Sequence, residues 1–179
     1  MDQIFDNLRQ LNYSSFFYLN DFAKQSSFWS NLIFWFADYG IVLIIVGLIY
    51  LIVCERINAL FAAVLSSIFS VALGFILWLF WYSQSATGYS TGPIIANSFP
   101  SIQIYLSFAI ATTLILYGNK KIGLATLFVA LCISVARVAN GFHYPSAILF
   151  GAVIGIFAGT LAYWFMEHFE DFWANNSAE

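Results

Sequence analysis

Ala136-Arg137-Val138-Ala139-Asn140-Gly141-Phe142-His143-Tyr144-Pro145 places a cation and an imidazole inside a long apolar sequence. From Arg56 to Met166 the chain has no Asp or Glu, and its cations there are Arg56, Lys120, Lys121 and Arg137. A guanidinium near the end of an apolar helix, a few residues before an imidazole, is costly unless something binds there. A positive charge beside a nucleophilic ring suits the handling of phosphate. Pro145 opens the next helix, where its missing N–H costs nothing.

Working outward, 61% hydrophobic residues, 8% charged residues and a mean hydropathy of +0.83 exclude a soluble domain and imply a polytopic membrane protein. The expected fold is all-α integral membrane, a single membrane domain over 1–179 with five transmembrane helices and an N-terminal interfacial amphipathic helix. That first helix covers about 2–24, with Phe5, Leu8, Leu11, Phe17, Leu19 and Phe22 set among Asp, Asn, Arg and Gln. The spans follow at about 28–54, 57–81, 101–116, 122–138 and 147–166, with a polar loop over 82–98 that contains Pro93. Asp38 is the one carboxylate inside a span, and Pro100 stands just before the third. Gly151, Gly155 and Gly159 recur every four residues, a face for close helix contact. The six Trp mostly fall near predicted interfaces, as an aromatic belt does.

The net charge of −3 comes largely from the two ends, and no basic patch suggests nucleic acid. Cys54 and Cys132 have no metal-ligand spacing and read as packing thiols; no metal and no cofactor is expected. Asp2 and Asp6 stand where a cleavable signal peptide would be positive. Arg56, Lys120 and Lys121 lie in the loops after spans one and three, so the positive-inside rule puts those loops in the cytoplasm. The 82–98 loop and the Asn140 to Pro145 stretch then face outward; Arg9 and Lys24 run against the rule.

At Ser98-Phe99-Pro100-Ser101 and from Arg137 to Pro145 the chain resembles the type-2 phosphatidic acid phosphatase superfamily, and within it the small bacterial undecaprenyl-diphosphate phosphatases. That family carries three motifs: K-x6-R-P, then P-S-G-H or P-S-D-H, then S-R-x5-H-x3-D. Arg137 and His143 have the third motif's spacing, and Gly141-Phe142-His143-Tyr144-Pro145 matches its usual G-x-H-Y-P. Asn20-Asp21-Phe22-Ala23, Ala37-Asp38-Tyr39 and Asn119-Lys120-Lys121-Ile122-Gly123 extend the likeness over most of the chain. The resemblance implies that the third-motif His attacks phosphorus and the second-motif His protonates the leaving group. It also implies that Arg residues hold the phosphate oxygens and that the final Asp orients the attacking ring.

Carried over residue by residue, that pattern breaks. The second motif reads Pro100-Ser101-Ile102-Gln103, so an amide stands where the acid belongs. The orienting Asp is Ala147, the first motif's Arg-Pro becomes Gly92-Pro93, and the serine opening the third motif is Ala136. The other histidine, His168, is expected at the opposite membrane face.

The resemblance therefore implies a catalytically impaired homologue in a bacterial-type plasma membrane, with its site facing outward. Such a protein binds an anionic lipid or polyprenyl phosphate, or serves as a subunit alongside other membrane proteins. The alternatives are an active undecaprenyl-diphosphate or phosphatidate phosphatase working through His143 with a non-standard acid, and a lipid transporter. The candidate site is Arg137, Ser101 and Gln103 on phosphate, His143 as nucleophile if active, and Asp38 and Asn140 in support. Each has a plainer reading. Arg137 can snorkel to the interface, His143 can cap a helix end and Ser101 can be an N-cap. Gln103 can bond Arg137 or Asn140, and Asp38 can pair with Arg137 or face water.

Overall fold

A computed structural model describes residues 2–86, 101–117 and 120–176. Their regular structure is helical: α1 Asp2–Lys24, α2 Ser27–Val53, α3 Ile57–Ala86, α4 Ile102–Leu116, α5 Lys120–Ala139 and α6 Pro145–Asn176. Four of these carry segments long and apolar enough to cross a membrane, namely Ser27–Val53, Ile57–Phe80, Lys120–Ala139 and Pro145–Phe169; α4 is a shorter apolar helix. With the amphipathic α1 this is the all-α integral membrane architecture that the hydropathy implies.

The boundaries have local causes. The Ser26 side chain accepts from the Phe28 N–H at 3.2 Å and starts α2. Pro145 is the first residue of α6. Residues 82–86, expected to open a polar loop, continue α3 instead, because none of them is a Gly or Pro that would stop it. The remainder of that loop, with Gly92 and Pro93, lies outside the described residues, as do Ser98, Phe99 and Pro100 of the second motif.

α4 is the hub, packed on α6, α5 and α3, while α2 joins the bundle mainly through α5. Its 15 residues give about 22 Å of helix, less than the ~30 Å hydrocarbon thickness, and most of them are buried. α2 by contrast buries a narrow stripe, Ala37, Gly40, Ile44 and Leu51, and turns its other apolar faces outward. That is expected where the surroundings are lipid tails. Gly40 lets α2 approach α5 closely, since a Cβ there would lie 2.5 Å from Ile133 Cγ1. At Gly159 a Cβ would lie 2.6 Å from the Ala109 carbonyl oxygen, so α6 meets α4 backbone to backbone.

Polar groups inside are satisfied locally, as a membrane interior demands. Ser66, Thr126 and Ser134 donate to carbonyls of their own helices at 2.8–2.9 Å. The Thr113 hydroxyl reaches the Ala109 carbonyl at 3.0 Å and the Gly159 carbonyl at 3.1 Å, tying α4 to α6.

Candidate functional site

The end of α5 is built by Gly141. Its φ of 79° is left-handed, open to glycine at no steric cost, and it reverses the chain. The Gly141 N–H donates to Val138 O at 2.9 Å and the Phe142 N–H to Arg137 O at 3.0 Å, the bond pair of a Schellman ending. The reversal folds Phe142 back over the last turn, where the Arg137 Cζ lies 5.6 Å from the ring centroid. It also brings the His143 N–H to 3.3 Å from Arg137 O. The spacing of the third motif is thus a folded unit in which the His143 backbone returns to the Arg137 carbonyl.

Arg137 points into the seam between α2, α4 and α5. Its Nε and Nη2 both donate to Gln103 Oε1, at 3.1 and 2.7 Å, and Nη2 also donates to the Ala37 carbonyl at 3.3 Å. These acceptors are neutral. Asp38, half-buried on α2, acts on the guanidinium through space. The cation is therefore oriented by contacts that do not cancel its charge, an arrangement that attracts an anion in a poorly screened setting.

α1 lies over this turn. Asn20 Nδ2 donates to Ala139 O at 2.9 Å, and Asn12 Oδ1 accepts from the Ser146 N–H at 3.0 Å. Between them Tyr13 meets the Tyr144 ring edge-on at 5.4 Å, and Phe16 sits against the same ring at 4.7 Å. Asn12, Phe16 and Asn20 recur every four residues, so one face of α1 clasps the turn. Phe5, Leu8 and Phe17 stay exposed, as in a helix lying at a membrane surface.

Three buried nitrogen atoms here lack a hydrogen-bond partner: Asn12 Nδ2, Asn140 Nδ2 and His143 Nδ1. The His143 turn lies between the spans, and burial first, then the Arg137 charge, lowers the imidazole pKa from its ordinary value of about 6.5. The folded protein keeps the ring neutral where the unfolded chain would protonate it. The stability linked to this ring is therefore full above about pH 6.5 and declines as pH falls through that value, because the unfolded chain takes up the proton first. Thermal unfolding followed by tryptophan fluorescence should show a larger loss between about pH 7.5 and about pH 5.5 in the wild type than in His143→Asn. Equal losses would remove His143 as the cause.

The structure brings Arg137, Gln103 and the His143 turn together, and decides Gln103's partner as Arg137 rather than Asn140. Ser101 occupies the N-cap position of α4 and is buried, but its side chain makes no capping bond. Asp38 reaches Arg137 only through its field, and His143 Nδ1 meets no carboxylate. Ala147, at the position of the family's orienting Asp, is buried in the first turn of α6. His168 lies on α6, ~35 Å along the helix from Pro145 at about 1.5 Å per residue, its ring tilted against Trp164 with centroids 4.3 Å apart. Among the described residues no three His, Cys, Asp or Glu side chains gather as a metal site.

Two features escaped the sequence reading: the clasp by α1, for which the Asn12, Phe16, Asn20 spacing was the signal, and the Phe142 contact on Arg137, for which Asn140-Gly141 after a helix was the signal.

Known proteins resemble this chain in sequence and in fold. The bacitracin transport permease protein BcrC of Bacillus licheniformis is 28% identical over 164 residues, 87% of this chain and 80% of its own. A lipid A 1-phosphatase of Porphyromonas gingivalis is 39% identical over 72 residues, 38% of this chain and 16% of that protein. The crystal structure of Aquifex aeolicus LpxE has the same fold, with a TM-score of 0.62 at 24% identity over 85% of this chain and 94% of that one. Residues 81–171, which include Gln103, Arg137 and His143, match the PAP2 superfamily, and the chain belongs to that family.

Proposed function

We propose that this protein binds a lipid phosphate in a bacterial plasma membrane, through an outward-facing PAP2 site whose phosphatase chemistry is impaired. Within that site Arg137 holds the phosphate, Gln103 and Asn140 flank it, Ser101 adds the α4 N-terminus, and His143 sits beside it. The reading rests chiefly on Gln103, whose carbonyl oxygen is spent on Arg137 at the position where the family places its proton donor. An amide cannot protonate a leaving oxygen. A lost general acid costs about 10²–10⁴ in rate. His143 Nδ1 has no acceptor behind it, and removing the carboxylate that orients a catalytic His costs about 10⁴ in serine proteases. Such losses do not add, but either one removes efficient turnover.

Affinity for phosphate survives the same changes. The guanidinium faces neutral acceptors, and a relative named as a lipid A 1-phosphatase is 39% identical over 72 residues. The expected result is that purified protein releases phosphate from undecaprenyl diphosphate no faster than its His143→Ala variant. Turnover that the substitution abolishes would instead establish an active phosphatase with a non-standard acid.

A further inference from the structure

The ring of Phe142 lies against the cation of the site, and the phosphate reading so far gives it no role. Arg137 Cζ is 5.6 Å from the ring centroid, within the about 6 Å at which a guanidinium is attracted to an aromatic face. The contact is built into the turn. The Phe142 N–H donates to the Arg137 carbonyl at 3.0 Å, so the residue that supplies the cation also fixes the backbone that carries the ring. We infer that Phe142 is a positioning residue for the anion, its ring covering one face of the guanidinium while the Nη1 edge stays open to a phosphate. The inference rests on the proposed phosphate reading and adds a residue that tunes the same site.

A guanidinium is planar, and its N–H donors lie in that plane. An aromatic ring meets the face and phosphate oxygens meet the edge, so the two partners do not compete. Three hydrogen bonds already hold the edge on one side: Nε and Nη2 to Gln103 Oε1, and Nη2 to Ala37 O. Nη1, with two N–H donors, meets no acceptor among the described residues. Phe142 adds a hold on the face and keeps water from it. A carboxylate at the same place would fix the side chain as firmly but would cancel its charge; an uncharged ring fixes it and leaves the charge for a ligand. Phe142 is also 50% exposed, as an aromatic anchored at a membrane interface would be. The two roles differ in what can replace the ring. Anchoring accepts any large apolar body, whereas a cation requires the π face.

The test is isothermal titration of farnesyl phosphate and of inorganic phosphate into the purified full chain. Phe142→Leu keeps an apolar side chain and loses the ring; both ligands should bind about threefold to tenfold more weakly, by the same factor. Phe142→Trp keeps an aromatic face and should bind both within about twofold of the wild type, or more tightly. Phe150→Leu on α6, 60% exposed, is the control and should change neither. Added to Arg137→Ala, Phe142→Leu should cause no further loss, because its effect passes through the cation. Unchanged affinity in Phe142→Leu overturns the inference, as does a Phe142→Trp variant that binds as weakly as Phe142→Leu. Weakening confined to farnesyl phosphate overturns it too, since the ring would then be a hydrocarbon contact. In each of these cases, loss of both ligands in Arg137→Ala would leave the phosphate reading standing by itself. Phosphate binding that survives Arg137→Ala would refute that reading, and the role of Phe142 with it.

Discussion

Arg137→Ala should weaken binding of a prenyl phosphate by about 100-fold or more, corresponding to roughly 3 kcal/mol. The side chain is the site's cation, and its direct acceptors are a side-chain amide oxygen and a backbone carbonyl, neither of which offsets a full charge. Removing it leaves the Gln103 oxygen without its donors and Phe142 without the cation it covers. Arg137→Lys is not an equivalent replacement. A compact ammonium cannot donate twice to Gln103 Oε1 and reach Ala37 O with the geometry of a planar fork. It should recover part of the affinity and not all of it. Titration calorimetry in matched detergent is the measurement, and wild-type affinity in Arg137→Ala would defeat the phosphate reading.

The second large effect is a gain. Gln103→His combined with Ala147→Asp should raise phosphate release from undecaprenyl diphosphate by about 100-fold or more. Gln103 sits in the first turn of α4, with its side chain already directed at Arg137, so an imidazole there stands beside the phosphate. The same change removes the carbonyl that occupies the guanidinium. Ala147 is buried in the first turn of α6, four residues after His143, where a carboxylate gains from the helix dipole and offsets part of its desolvation. It would stand behind a ring whose Nδ1 now has no acceptor. Each single change should give less than the pair, since acid, nucleophile and brace act as a unit. No gain in the double variant would mean that these two positions do not account for the impairment.

The fold could be read from the sequence because a bilayer imposes a coarse rule: apolar runs of the right length become spans, and glycines every four residues become contact faces. Gly155 and Gly159 indeed approach α4 backbone directly. The site was only half legible. The Arg137 to His143 spacing identified the turn, but which polar group would meet the guanidinium depended on how α2, α4 and α5 are arranged in space. Gln103 and Asn140 were equal candidates on paper; packing gave the bond to Gln103. α1 presents the subtlest case. Its amphipathic pattern fits a helix floating at the interface as well as one clasping a loop, and a pattern of apolar residues cannot separate the two. The difference lies in Asn12 and Asn20, whose partners are more than a hundred residues away.

The clasp also means that the pocket is not sealed off from the state of the bilayer. α1 leaves Phe5, Leu8 and Phe17 exposed while its Asn20 and Asn12 hold Ala139 and Ser146. Whatever lifts or tilts that helix, whether headgroup crowding, curvature or extraction into micelles, pulls on both anchorages of the imidazole turn together. Lateral pressure in the leaflet beside α1 is thereby an input to this site.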